Sequence, residues 1–168
     1  METVKLLREL SEASGVSGYE RAVGESIRSA FAPLVDELRA DALGNVIAIK
    51  RGSQPGPQRR ALMLAAHTDE IGLMVSGFEE SFLRFTTVGG FDLRTLVGQE
   101  VVVHGRRKLP GMVATRPPHV LTTDERTKAI PMKDLYIDVG LPAQRLRELV
   151  RVGDLATLRR EMIELAHG

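Results

Sequence analysis

The chain has 168 residues, enough for one ordinary domain or two small ones, and 43% of them are hydrophobic, enough to fill a core. A formal net charge of +1, 4% aromatic residues and no Trp argue against a phosphate-binding face or a base-stacking platform for nucleic acid. There is no Cys, which excludes disulfides and thiolate metal sites and leaves His, Asp and Glu as the only strong metal ligands.

The N-terminus, Met1-Glu2-Thr3-Val4-Lys5-Leu6-Leu7-Arg8-Glu9, is interrupted by charge too often for a signal peptide. No apolar run approaches the roughly 18 residues of a membrane span. The expectation is a soluble, cytoplasmic protein without a membrane or nucleic-acid partner. Residues 2–13 predict a helix with Val4, Leu7 and Leu10 on one stripe, ended by Gly15-Val16-Ser17-Gly18. Ser17 and Glu20 have capping-box spacing for a second helix carrying Val23, Ile27, Ala30, Phe31 and Leu34, with Pro33 near its end. Leu43-Gly44-Asn45 is a turn signal before the strand Val46–Ile49, and residues 51–58 read as a surface loop. The run Ala61–Ala66 is apolar on both faces, as in the interior of a sheet covered by helices.

Beyond His67 the texture changes to short strands, at 71–75, 82–87, 100–104, 111–115 and 135–139, punctuated by Gly and Pro. That pattern predicts a small β-barrel or sandwich. Residues 143–150 and 155–166 predict helices, the second with Leu155, Leu158, Met162 and Leu165 on one face and Asp154 as its N-cap. The fold class is therefore α/β: a partial α/β layer over 1–72, a β-barrel over 73–140 and a helical tail over 141–168.

The chemistry centres on Ala65-Ala66-His67-Thr68-Asp69-Glu70-Ile71-Gly72. His67 directly follows the apolar run, at the end of a strand where open α/β sheets bind ligands. In extended backbone Asp69 points the same way as His67 and can reach the imidazole. A carboxylate there fixes the tautomer and makes the other ring nitrogen a better metal donor. Glu70 adds a further carboxylate at the rim. A strand-end His-x-Asp is also often a plain hydrogen-bonded pair, so spacing alone leaves both readings open.

That segment resembles the glutamyl and deblocking aminopeptidases that build TET-type particles. Ser14–Glu20 is similar to the early glycine turn of that family, and Asp41–Asn45 to the run into its first strands. Val88-Gly89-Gly90, Leu96–Gln99, Arg116–His119 and Asp134–Gly140 are similar to its inserted β-domain. The resemblance runs from about residue 4 to Asp154. It implies a dinuclear metallo-aminopeptidase, with zinc or cobalt, that removes N-terminal residues from peptides. It implies that His67 is a metal ligand, that Asp69 supports it without binding metal, and that the β-barrel domain drives homo-oligomerisation.

The resemblance also implies ligands that are absent here: an Asp-Asp-Arg, a catalytic Glu pair, another Asp and a late His. Glu79-Glu80, the one adjacent Glu pair, reads as a solvated hairpin tip. Neighbours in a strand point to opposite faces, so this pair also makes a poor glycosidase dyad, although the family has carried an endoglucanase label. His104 and His119 read as structural or surface residues, and His167 sits beside the last residue. Where residues 155–166 look helical, the family would continue in strands. The expectation is a truncated family member, inactive as an isolated chain. The alternatives are one half of a split peptidase needing a complementing chain, or a non-catalytic oligomerisation or ligand-binding module.

Overall fold

A computed structural model of the chain describes residues 3–53 and 60–166. Most of the expected 51–58 loop, and His167, lie outside these residues. The chain divides into two compact units, Met1–Asp69 with Glu161–Gly168, and Glu70–Arg160.

The first unit begins with α1 (Thr3–Glu12) and α2 (Arg21–Phe31), which pack on each other. β1 (Glu37–Ala40) and β2 (Val46–Ile49) follow as an antiparallel hairpin, with α2 packed against β2. Asp41 organises the hairpin turn. Its carboxylate accepts from the backbone N–H of Leu43 and Asn45 at 3.0 and 2.9 Å and from the Asn45 side chain at 2.7 Å. Gly44 supplies the left-handed residue of the turn at φ +89°.

The expected strand over Ala61–Ala66 does not form: among the described residues, 60–69 hold no strand. Leu62, Met63 and Leu64 are 85%, 86% and 87% exposed. A strand needs a neighbour for its backbone groups, and a run apolar on both faces needs cover on both. Neither is present among the described residues.

The second unit is a closed six-stranded barrel. Its strands are β3 (Gly72–Glu79), β4 (Phe82–Val88), β5 (Glu100–His104), β6 (Lys108–Thr115), β7 (Leu135–Asp138) and β8 (Leu155–Leu158). They run around the wall in the order β3-β4-β7-β6-β5-β8, and every pairing is antiparallel. Alternate residues point inward and bury the core, as with Leu73 and Val75 on β3, Leu83 and Phe85 on β4, and Val101 and Val103 on β5. The hairpin between β3 and β4 turns on Glu80-Ser81, with Glu80 at φ 50°. Register slips by one residue between Val75 and Gly77, a bulge at the exposed Ser76.

The tail differs from expectation. Residues 155–158 form β8 rather than a helix, and 141–160 belong to the barrel unit rather than to a separate helical tail. β8 pairs with β3 on one side and β5 on the other, so closure of the wall overrides the helical spacing of Leu155 and Leu158. Asp154 caps no helix. Its carboxylate accepts from the Arg151 N–H at 2.8 Å in the turn before β8. Residues 159–166 contain no helix; within the first unit, Met162 N–H donates to Glu12 Oε1 at 3.0 Å, and Arg8 Nη2 donates to Glu164 Oε1 at 3.0 Å. The helix expected over 143–150 is α4 (Ala143–Leu149), which buries Leu146 and Leu149 against the barrel core. No helix among the described residues is long and apolar enough to cross a membrane.

Gly105, in the turn between β5 and β6, sits against the end of α4. A Cβ there would lie 2.3 Å from the Leu149 carbonyl oxygen, beside the bond that Arg106 N–H donates to the same carbonyl at 2.8 Å. Gly105→Ala should therefore cost about 2 kcal/mol of unfolding free energy in chemical denaturation. Gly90→Ala, which points into open space, should change it by less than about 0.5 kcal/mol.

His104 stands in the barrel wall with Nε2 2.9 Å from Oγ1 of the buried Thr157 on β8. Burial, then the positive charge of Lys108, holds its pKa below the ordinary 6.5. On acidification the unfolded chain takes up this proton first, so the stability contributed by neutral His104 is complete above pH 6.5 and is lost as pH falls. Denaturation midpoints should drop as pH falls below 6.5, and His104→Gln should flatten that drop.

Candidate metal-ligand site

The first unit buries little apolar surface. Among its described residues the buried hydrophobic side chains are Val16, at 0% exposure, and Val23, at 5%. Both belong to the structure that carries Ser17. Val16-Ser17-Gly18-Tyr19 forms a tight turn closed by a bond from Tyr19 N–H to the Val16 carbonyl at 2.7 Å, with Gly18 at φ +86°. A left-handed third residue of this kind marks a type II turn and suits Gly. Gly15 permits the turn to approach α2: a Cβ there would meet Val23 Cγ2 at 2.7 Å. The same position lies 3.5 Å from the backbone oxygen of Thr68, the residue between His67 and Asp69.

The turn does not serve as the expected capping box. Glu20, the residue before α2, makes no side-chain cap bond to the helix; its carboxylate accepts from the Gly18 N–H at 2.7 Å. The Ser17 hydroxyl instead donates to Oδ2 of Asp69. Ser17 is thus the member of the site that sequence reasoning assigned elsewhere. The signal that could have found it was the glycine-flanked turn itself, which Gly15 seats with its Cβ position 3.5 Å from the Thr68 backbone.

His67 and Asp69 do come together. His67 Nδ1 lies 2.9 Å from the Asp69 backbone carbonyl and 3.0 Å from Asp69 Oδ1. Both partners are acceptors, so Nδ1 carries the proton and the neutral ring has its lone pair on Nε2. The His67 side chain is 85% exposed and that of Asp69 38%. The Asp69 carboxyl is held below its ordinary pKa chiefly by the Ser17 hydroxyl; burial, the next effect in size, opposes this, and the His67 ring adds a smaller lowering.

An imidazole with Nδ1 committed to a carboxylate and Nε2 open fits one position of a divalent-metal site. The remaining positions are not met here. No group of three or more His, Asp or Glu that could hold a metal ion forms among the described residues. Glu79 is occupied: Arg84 Nε donates to its Oε2 at 2.5 Å, while Arg84 Nη1 donates to the Lys133 and Leu135 carbonyls at 2.6 and 2.9 Å. Glu79 and Glu80 therefore sit at a hairpin tip. His104 is committed to the barrel wall, and His119 lies exposed in a short 3₁₀ turn.

The FrvX protein of Escherichia coli K12 is 35% identical over 140 residues, which cover 82% of this chain and 38% of FrvX. The crystal structure of a TET aminopeptidase from the marine sediment archaeon Thaumarchaeota archaeon SCGC AB-539-E09 superposes with a TM-score of 0.90 at 34% identity, over 99% of this chain and 46% of that one. The Pyrococcus horikoshii TET1 peptidase, which can assemble into a tetrahedron or a large octahedral shell, superposes with a TM-score of 0.82 at 31% identity, over 99% of this chain and 49% of that one. The chain thus spans less than half the length of each. Residues 44–168 match the M42 glutamyl aminopeptidase family, and the chain belongs to that family.

Proposed function

We propose that His67 supplies one ligand to a divalent-metal centre that removes N-terminal residues from peptides, with Asp69 orienting its ring. The observation that supports this is the double acceptor around His67 Nδ1, which leaves the Nε2 lone pair open. Members of the family are metallopeptidases that require divalent metals; an imidazole donor suits zinc among other transition metals, and the family resemblance implies zinc or cobalt. A divalent metal bound there would supply Lewis-acid chemistry, polarising the peptide carbonyl and activating water. The part of this chain is to hold the His67 ring still and to present one neutral nitrogen.

Catalytic zinc sites use about three protein ligands per ion. The described residues offer His67 without a companion cluster. On this reading the 168-residue stretch is inactive by itself and needs ligands from another part of the protein or from a complementing chain. The barrel is the self-association module of the assembly, a reading supported by the shells formed by TET1. A second reading, a non-catalytic assembly or ligand-binding module, is favoured by one observation: the barrel has a complete core of its own, whereas the unit carrying His67 buries only two hydrophobic side chains among its described residues.

Incubated with zinc or cobalt and aminoacyl-p-nitroanilides, the 168-residue chain should release no more product than its His67→Ala variant. In calorimetric titration with zinc, His67→Ala should lose about tenfold or more in affinity. Metal-dependent release abolished by His67→Ala would contradict the incompleteness of the site, and unchanged zinc affinity would contradict the ligand. In sedimentation the chain should run larger than a monomer; a monomer at micromolar concentration would contradict the role given to the barrel.

A further inference from the structure

We propose that Ser17 is a positioning residue for His67: by holding one oxygen of Asp69, it fixes the other against His67 Nδ1 and so aims the Nε2 lone pair at the metal. The inference rests on the reading of His67 as a ligand and extends it to a segment about 50 residues away in sequence.

A carboxylate on an exposed loop can rotate, and either oxygen can turn to water. Asp69 is only two residues from His67, so its reach to the ring is local and breaks with a single rotation of its side chain. Ser17 removes that freedom. Its hydroxyl engages Oδ2, while Oδ1 lies 3.0 Å from His67 Nδ1, so one carboxylate is held at both ends. Charge-assisted hydrogen bonds of this kind are stronger than neutral ones and more demanding in geometry.

The placement of Ser17 is itself built. The apolar burial of this unit is concentrated at Val16 and Val23, on either side of the turn. Val16 anchors the residue before Ser17, and Gly18 at φ +86° closes the turn after it. Gly15 lets the turn settle against Val23, with its Cβ position 3.5 Å from the Thr68 backbone. The few buried contacts of the unit thus fix the one hydroxyl that holds Asp69.

The tautomer of the neutral His67 ring reads the effect directly. Free neutral imidazole side chains favour the proton on Nε2; at His67 the Asp69 backbone carbonyl and the Asp69 carboxylate together hold it on Nδ1, and Ser17 acts on the second of these. In ¹⁵N–¹H multiple-bond NMR spectra of the neutral ring, the wild-type chain should show His67 protonated on Nδ1. Ser17→Ala should shift His67 toward Nε2 protonation and weaken its zinc-induced ring shifts by about tenfold in affinity. Ser17→Thr, which keeps the hydroxyl, should restore both, with His104 unchanged throughout as an internal reference for the barrel. An Nδ1–H ring and wild-type zinc response in Ser17→Ala would overturn the proposal. So would a tautomer that moves in Asp69→Asn and not in Ser17→Ala. If zinc leaves the wild-type His67 signals unmoved, the ligand reading fails, and the tautomer comparison still decides whether Ser17 positions the ring.

Discussion

β8 lies between β3 and β5 and pairs with both, joining Leu73 to Ala156 on one side and Val101 to Leu158 on the other. Every strand of the barrel thereby finds two neighbours, and no open edge remains. Much else follows from this closure. It draws residues 155–158 out of helix, brings Thr157 beside His104, and stations α4 with its end against the β5–β6 turn at Gly105. The same requirement for paired backbone goes unmet in the other unit. The run Ala61–Ala66 has the composition of an interior strand, yet its side chains stand exposed and no strand forms there among the described residues.

The contrast between the units carries the functional argument. The barrel holds an alternating, buried core of its own. The unit with His67 concentrates its burial at one turn, and that turn grips the carboxylate beside the imidazole. What the described residues build is therefore one well-oriented nitrogen donor rather than a metal cage. The chain belongs to a family of divalent-metal peptidases and spans less than half the length of the relatives it matches.

Much of this was legible in the residues. β3 to β7 announced themselves by alternation and by Gly and Pro between them, because each has one face in the core and one toward solvent. The strands hidden from pattern were those decided by their neighbours. β1, Glu-Leu-Arg-Ala, carries almost no apolar signal and exists because it pairs with β2. β8 is buried on nearly every residue and its spacing mimics a helix stripe; the gap between β3 and β5 decides otherwise. Ala61–Ala66 shows the converse, strand composition without a partner. His67 and Asp69 were readable because they are local in sequence. Ser17 was misread as a helix cap because its partner, Asp69, lies 52 positions away, and short-range patterns carry no information about such a contact.

The central claim is that His67 presents Nε2 to a divalent metal while Nδ1 stays on Asp69. The most direct measurement is a crystal structure of the chain with zinc, located by its anomalous scattering. The account predicts an ion about 2.0–2.1 Å from His67 Nε2, with Nδ1 still bonded to Asp69 and Ser17 still on the far oxygen. Zinc bound through Nδ1, or bound elsewhere with His67 left free, would contradict it.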